Sequence, residues 1–328
     1  MKLLSCSPTN VARDYDYFLV ACGSDYRAYQ VLRKSKDYRI SIKKALTFDF
    51  QQRHDDLDPE SLQAYQSCES LGIDTEQVPC SIVDPSACVK MLGSFDPELV
   101  NAKNVAIDIS CFTKPYFFCI LKYLKEKTTI SSVTVFYTEP LSYVFAKGLY
   151  YSYHSTFGPL SVMEIPGFPG NDTRTTKKVL VVLLGFDREL SLFISEEVAP
   201  DEIVIINGFP AYAPKFKDIS LINNEKLISS AGPSSIRYAR ASNPFETFNL
   251  LEQLYNQEPF AFFNVAPIGT KPMALGACLF ALFYPTVRIV YPLPEKYAHV
   301  TTKECWNSWS YEVPLRIVMK NENALGKS

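Results

Sequence analysis

The chain has 328 residues, 47% of them hydrophobic and 13% aromatic, with a formal net charge of −2. The length accommodates two domains of ordinary size, and the composition excludes an intrinsically disordered chain. The near-neutral charge excludes a broad nucleic-acid surface, which needs a clustered basic face, although a local basic pocket remains compatible with it.

In chain order, residues 17–22 read as a buried strand that breaks at Gly23-Ser24-Asp25, followed by a short amphipathic helix over 26–34 and a strand over 42–50. The polar cluster Arg53-His54-Asp55-Asp56 comes next, then a helix over 59–71 with Pro59 in its first turn and Gly72 just past its end. A strand over 104–109, a helix over 115–125 and a strand over 133–137 complete the first half. After the Pro- and Gly-rich stretch 166–174, the order repeats: strand 179–184, helix 188–198, strand 202–206, helix 245–256, strand 260–265, helix 273–282 and strand 287–291. Strands alternating with helices predict an α/β fold of two tandem Rossmann-like domains with mainly parallel sheets. The predicted domains are residues 1–165 and 175–328, with 166–174 as the linker.

Three marks recur in the same order in both halves, which points to an internal duplication. The first strand of each half breaks at Gly-x-Asp, at Gly23 to Asp25 and at Gly185 to Asp187. A strand then leads into Thr-Lys-Pro, in Asp108-Ile109-Ser110-Cys111-Phe112-Thr113-Lys114-Pro115 and in Asn264-Val265-Ala266-Pro267-Ile268-Gly269-Thr270-Lys271-Pro272. The last strand closes in Tyr-x-x-Pro-x-x-Tyr, at Tyr137 to Tyr143 and Tyr291 to Tyr297. All three fall at the carboxyl ends of strands, where doubly wound sheets bind ligands.

Each mark has a structural and a functional reading. Proline in the first turn suits a helix start, a preceding hydroxyl caps it, and lysine beside the exposed amides makes an anion site, or simply a solvated side chain on a capped helix. Asp25 and Asp187 read as caps or as acceptors for a ribose or base, with Gly23 and Gly185 allowing a tight turn. Tyr137, Tyr143, Tyr291 and Tyr297 read as stacking surfaces for a base or as ordinary residues at the core edge. Arg53-His54-Asp55-Asp56 is a candidate for acid–base work or a solvated loop, while His154 and His299 stand alone. Arg237 and Arg240 read as phosphate contacts or as part of a surface helix. No glycine-rich dinucleotide fingerprint or Walker loop is present, so no cofactor is expected.

The nine cysteines stand singly, with no Cys-x-x-Cys and no histidine at ligand spacing. Reduced, mostly buried thiols in a cytosolic chain without a metal site are expected. The apolar stretch of Met1 to Cys6 is too short for a signal peptide, no run approaches the roughly 18 apolar residues of a membrane span, and the Asn171-Asp172-Thr173 sequon reads as chance.

The strand ending in Asp or Asn, with Thr-Lys opening the next helix, resembles the signature of the CRISPR-associated Rossmann fold (CARF) sensors and, more distantly, their SAVED relatives. The first copy keeps the spacing from Asp108 to Thr113-Lys114 but has Cys111-Phe112 where the family has a glycine pair. The second keeps Gly269-Thr270-Lys271 and Met273 with one extra residue after Asn264. The resemblance implies a cytoplasmic sensor of a cyclic oligonucleotide in prokaryotic antiviral defence, built as a fused pseudo-dimer and acting through a separate effector protein. Ser110, Thr113, Lys114, Thr270 and Lys271 would hold phosphates. Gly23, Asp25, Gly185 and Asp187 would lie beside them, with Tyr137, Asn264, Gly269 and Tyr291 completing the ligand site. A nucleotide phosphodiesterase and a scaffold with a vestigial site are the alternatives.

Overall fold

Strands covered on both faces are almost continuously apolar, and such strands form the centre of each half. Val105–Asp108, Lys178–Leu183 and Phe262–Pro267 are buried along nearly their whole length. The computed structural model describes residues 5–6, 13–22, 25, 27–50, 69, 71–81, 84–143, 156–171, 177–232, 235–297 and 302–316. The predicted helix over 59–71 lies almost entirely outside these residues.

The first half runs β1 (Ser5–Cys6), β2 (Arg13–Ala21), α1 (Gln30–Arg33), β3 (Ile40–Phe50), β4 (Asp74–Cys80), α2 (Pro85–Phe95), a 3-10 turn (Pro97–Asn101), β5 (Val105–Asp108), α3 (Lys114–Lys127) and β6 (Ser132–Tyr143). After β7 (Thr156–Pro169), the second half runs β8 (Lys178–Leu183), α4 (Arg188–Val198), β9 (Glu202–Gly208), α5 (Pro214–Asn223), α6 (Glu225–Ala231), β10 (Ile236–Ala239), α7 (Pro244–Gln257), β11 (Phe262–Pro267), α8 (Lys271–Phe283) and β12 (Arg288–Tyr297), before a final β13 (Thr302–Pro314).

Two mostly parallel sheets result, with strand orders β1-β13-β6-β5-β2-β3-β4 and β10-β9-β8-β11-β12-β7. Within each, the five parallel strands share one doubly wound order, so the α/β fold with two Rossmann-like halves is as predicted. Each sheet then takes an antiparallel strand that follows the other half's last parallel strand in sequence. β13 pairs with β6, and β7 pairs with β12. β7 therefore runs through the first part of the stretch read as the linker and belongs to the second sheet, while the chain's return to the first sheet had no counterpart in the sequence reading.

The halves share one core. A single buried cluster includes Leu19, Phe112 and Phe117 of the first half and Val181, Met273 and Phe280 of the second. α3 packs along α8, with Lys114 near Ile268 at one end and the Lys125 ammonium against the Leu282 carbonyl at the other, so the two helices lie side by side and point the same way. Phe118 of α3 meets Phe168 of β7 edge to face at 5.6 Å.

The sequence around Arg237 and Arg240 is a strand, β10, rather than a surface helix. It pairs in parallel with β9 through residues 236–239.

Candidate functional site

Both helix starts are built as their sequences dictate. Thr113 and Thr270 hold extended backbone at the N-cap position, and proline occupies the first turn, where its missing N–H costs no intrahelical bond. The caps differ in chemistry. Thr270 Oγ1 accepts from the Met273 N–H at 3.3 Å and donates to the Ala241 carbonyl at 2.6 Å, whereas the Thr113 side chain makes no capping bond. Because α3 and α8 run side by side, the positive ends of both helices, each with a lysine as its first residue, open on one cavity of about 270 Å³.

The lysines cross between the halves. Lys114 Nζ donates to the Ile268 carbonyl at 2.7 Å, and the Lys271 ammonium donates to the Ser110 carbonyl. Each thus binds the loop that precedes the other's helix. Among the described residues, neither ammonium forms an ion pair with a carboxylate. Burial, with the charge of Lys271 adding to it and Asp187 opposing it, pushes Lys114 down to about 7. Burial and then the Arg27 charge push Lys271 down to about 8, against the opposing pull of Cys111, Asp25 and Asp108. Two converging lysines, on which Asp25, Asp108 and Asp187 act through their charges, form a site suited to an anion.

The loops after the first and fourth parallel strands of each half line the cavity, which places it at the switch point of both sheets. Asp25 takes two hydrogen bonds from the Arg27 guanidinium, at 2.7 and 2.9 Å, and one from Thr302 Oγ1 at 2.8 Å. Burial works to raise its pKa, but Arg27 outweighs it and holds the carboxyl well below the usual range. Asp187 stands at the N-cap of α4 without a side-chain capping bond and is buried at the cavity wall. Gly185 and Gly269 let two loops of the second half touch: a Cβ on Gly185 would lie 2.8 Å from the Ile268 carbonyl, and one on Gly269 would lie 3.0 Å from the Leu184 carbonyl.

Ser110 reaches the site through its backbone, since its hydroxyl accepts from the Thr138 N–H at 2.8 Å and fixes the loop to β6. Asp108 lies behind it, its Oδ1 accepting from the Ser110 N–H at 2.9 Å and its Oδ2 buried without a partner; burial raises its pKa to about 6 despite that bond. Phe112 stands where the resemblance has glycine, and it packs edge to face on Phe48 at 5.0 Å. Tyr291 lies in the wall with the Lys114 ammonium 5.9 Å from its ring centre. Tyr137 is also in the wall, its ring 6.1 Å from that of Tyr212, and Tyr143 meets Phe186 and Phe216 at 5.2 and 5.3 Å.

The structure therefore gathers Asp25, Ser110, Thr113, Lys114, Tyr137, Gly185, Asp187, Gly269, Thr270, Lys271 and Tyr291 around one cavity. It does not bring Asn264 there. Asn264 is fully buried near the start of β11, where its amide nitrogen donates to the Val179 and Phe262 carbonyls and its oxygen accepts from Arg288 Nε at 2.6 Å. β11 continues to Pro267 before reaching the cavity, so Asn264, one residue further than Asp108 from its Thr-Lys-Pro step, does not occupy the position of Asp108. Gly23, Arg53-His54-Asp55-Asp56, His154 and His299 lie outside the described residues, and of Tyr297 only the backbone is described. Among the described residues no three potential ligands converge as a metal site, and no helix is long and apolar enough to cross a membrane.

Arg27, Asn207, Tyr212 and Thr302 also line the cavity and were not singled out by the sequence. Arg27 had a signal, two residues beyond the Gly-x-Asp mark. Thr302 had none, because only the strand exchange brings β13 to the first half.

No protein-family model matches the chain, and no curated protein matches it. Among solved structures, the chain is similar to a type III CRISPR defence DNA nuclease activated by cyclic oligoadenylate. The match has 9% identity and a TM-score of 0.50, covering 88% of this chain and 68% of that one. A second match, M. capricolum TrmK bound to S-adenosyl-homocysteine, has 12% identity and a TM-score of 0.22 over 43% of this chain and 61% of that one. At such identities the first likeness shows the fold, and the second carries no argument.

Proposed function

We propose that the protein is a nucleotide-binding regulator that senses a cyclic oligonucleotide, or a related nucleotide, between its two halves and signals through a separate effector. The observation that carries this reading is the crossed pair of lysines at two convergent helix N-termini. The arrangement offers a phosphate two lysine side chains and the amides of two helix N-termini at one cavity. Tyr212 and Tyr291 line the cavity as surfaces for a base beside it, with the buried Tyr137 behind Tyr212. The fold shared with a nuclease activated by cyclic oligoadenylate supports the same ligand class. The recurrence of the three marks in two sheets with one strand order supports an origin by duplication.

Thermal melting of the purified chain against mononucleotides, linear dinucleotides and cyclic oligonucleotides tests this, because a ligand that binds only the folded state raises its melting temperature. A selective upward shift with a cyclic oligonucleotide is expected. No shift across the panel would favour a scaffold with a vestigial site.

One observation favours turnover as a second reading. A lysine lowered to about 7, as Lys114 is, can exchange a proton at neutral pH. In ring opening, the ligand's 2′-hydroxyl would attack the adjacent phosphorus, its proton would pass to a base, and the 5′-oxygen would leave protonated. Chromatography of the ligand after incubation separates an enzyme from a sensor.

A further inference from the structure

We propose that the second half carries an external base-stacking subsite, formed by Phe209 and Tyr238, that holds a nucleotide linked to the one in the cavity. The inference rests on the nucleotide-binding reading above and specifies the size of the ligand: at least two joined nucleotides, of which one lies outside.

The cavity, at about 270 Å³, lies just below the usual size of ligand pockets, about 300 to 1,000 Å³, and has room for roughly one nucleotide. An oligonucleotide bound through the lysine pair must continue onto the surface. Phe209 directly follows the cavity-lining Gly208, and the other side of the same loop returns to the cavity at Ala211 and Tyr212. The Phe209 N–H donates to the Ala239 carbonyl at 2.8 Å, and the Ala241 N–H donates to the Pro210 carbonyl at 3.1 Å. These bonds tie the ends of β9 and β10 together at the cavity rim, where Tyr238 pairs in register with the cavity-lining Asn207.

The outer face has the chemistry of a stacking platform. Phe209, just past the end of β9, is 52% exposed and Tyr238, within β10, is 49% exposed, which is unusual for side chains of this size. Their ring centres lie 6.0 Å apart at 73°, so a base laid flat on one ring meets the edge of the other. Lys217 Nζ sits 5.5 Å from the Phe209 ring centre. Lys217 lies 3.3 Å from Asp218. Aromatic rings beside cations are how proteins hold single-stranded nucleotides without reading their sequence.

The test compares the affinities of AMP and cyclic tetra-adenylate for the wild-type chain and for the double variant Phe209→Ala/Tyr238→Ala, by titration calorimetry. Circular dichroism and melting temperature would check that the variant is folded. The double variant should bind cyclic tetra-adenylate roughly 10- to 100-fold more weakly, the effect of losing stacking on one base, with AMP affinity unchanged. Phe209→Trp should retain tight binding of the larger ligand. Equal affinity of wild type and double variant for cyclic tetra-adenylate would overturn the subsite and leave the cavity reading standing. Failure of the wild type to bind either nucleotide would overturn both.

Discussion

Lys114 and Lys271 make competing demands on the protein, because a pair of ammoniums useful to a phosphate is a burden when no phosphate is bound. Lys271→Met removes one of two converging charges and leaves its methylenes' volume filled. The ligand-free melting temperature should hold or rise, while nucleotide affinity should fall by about 1.5 to 3 kcal/mol, the worth of a charge-assisted contact. Lys114→Met should behave alike, and calorimetry on both variants checks the symmetry.

The same pair sets a pH dependence. Both lysines titrate lower in the folded chain, at about 7 and about 8, than their ordinary 10.5, so above pH 7 the unfolded chain binds more protons and stability rises with pH. Burial also raises the carboxyls of Asp108 to about 6 and Glu139 to about 7, Glu139 despite its bond from Trp309; stability from these is present at low pH and lost as pH climbs through those values. The ligand-free melting temperature between about pH 5 and 9 should therefore pass through a minimum near neutrality. Phosphate affinity should fall steadily as pH rises through 7 and 8, since binding favours the charged ammoniums.

At this scale the sequence revealed the repeated Thr-Lys-Pro and Gly-x-Asp residues, because a helix start and a tight turn leave local traces. Spacing alone could not distinguish Asn264, which serves Arg288 inside the sheet, from a residue that reaches the cavity.

Elements were legible where one stretch of chain determines them. The helix over 188–198 matches α4, and Pro115 and Pro272 mark the starts of α3 and α8. β10 was not legible as a strand, since Ile236–Ala239 has too few apolar residues to show a period and is held by its pairing with β9. Nor were β4, α2, α5 and α6 read from the sequence, although Asp84 caps α2 and prolines open α2 and α5. The packing of α7 on α8 depends on a feature that sequence alone does not reveal. A Cβ on Gly276 would lie 2.2 Å from the Pro244 carbonyl and 2.8 Å from Thr247 Cβ. Gly276→Ala should therefore destabilise the protein by about 1 to 3 kcal/mol despite the higher helix propensity of alanine, because backbone must move to admit the methyl. Urea denaturation, with the slope held against wild type, measures it.

At the scale of the molecule, two Rossmann-like halves could be read from the alternation of strands and helices, but their interlocking could not. β7 and β13 pair with strands far from them in the chain, as Thr302 does with Tyr143, and such pairings leave no local signature. With exchanged strands and a common core, the halves should unfold together. Calorimetry should give a single transition whose calorimetric and van't Hoff enthalpies agree, and fragments 1–165 and 175–328 expressed separately should each fail to fold alone. Two separated transitions would mean that the halves are energetically independent.

The exchange also inverts the usual order of assembly during translation. A growing chain ordinarily completes its earlier domain before its later one. Here the second sheet has all its strands once residue 297 has been made, because β7 precedes it in the chain and waits for β12. The first sheet still lacks β13, so the β6 edge that β13 will cover stays open until the later half has been synthesised. The half that is made first closes last, and β6 is a long unpaired edge throughout that interval.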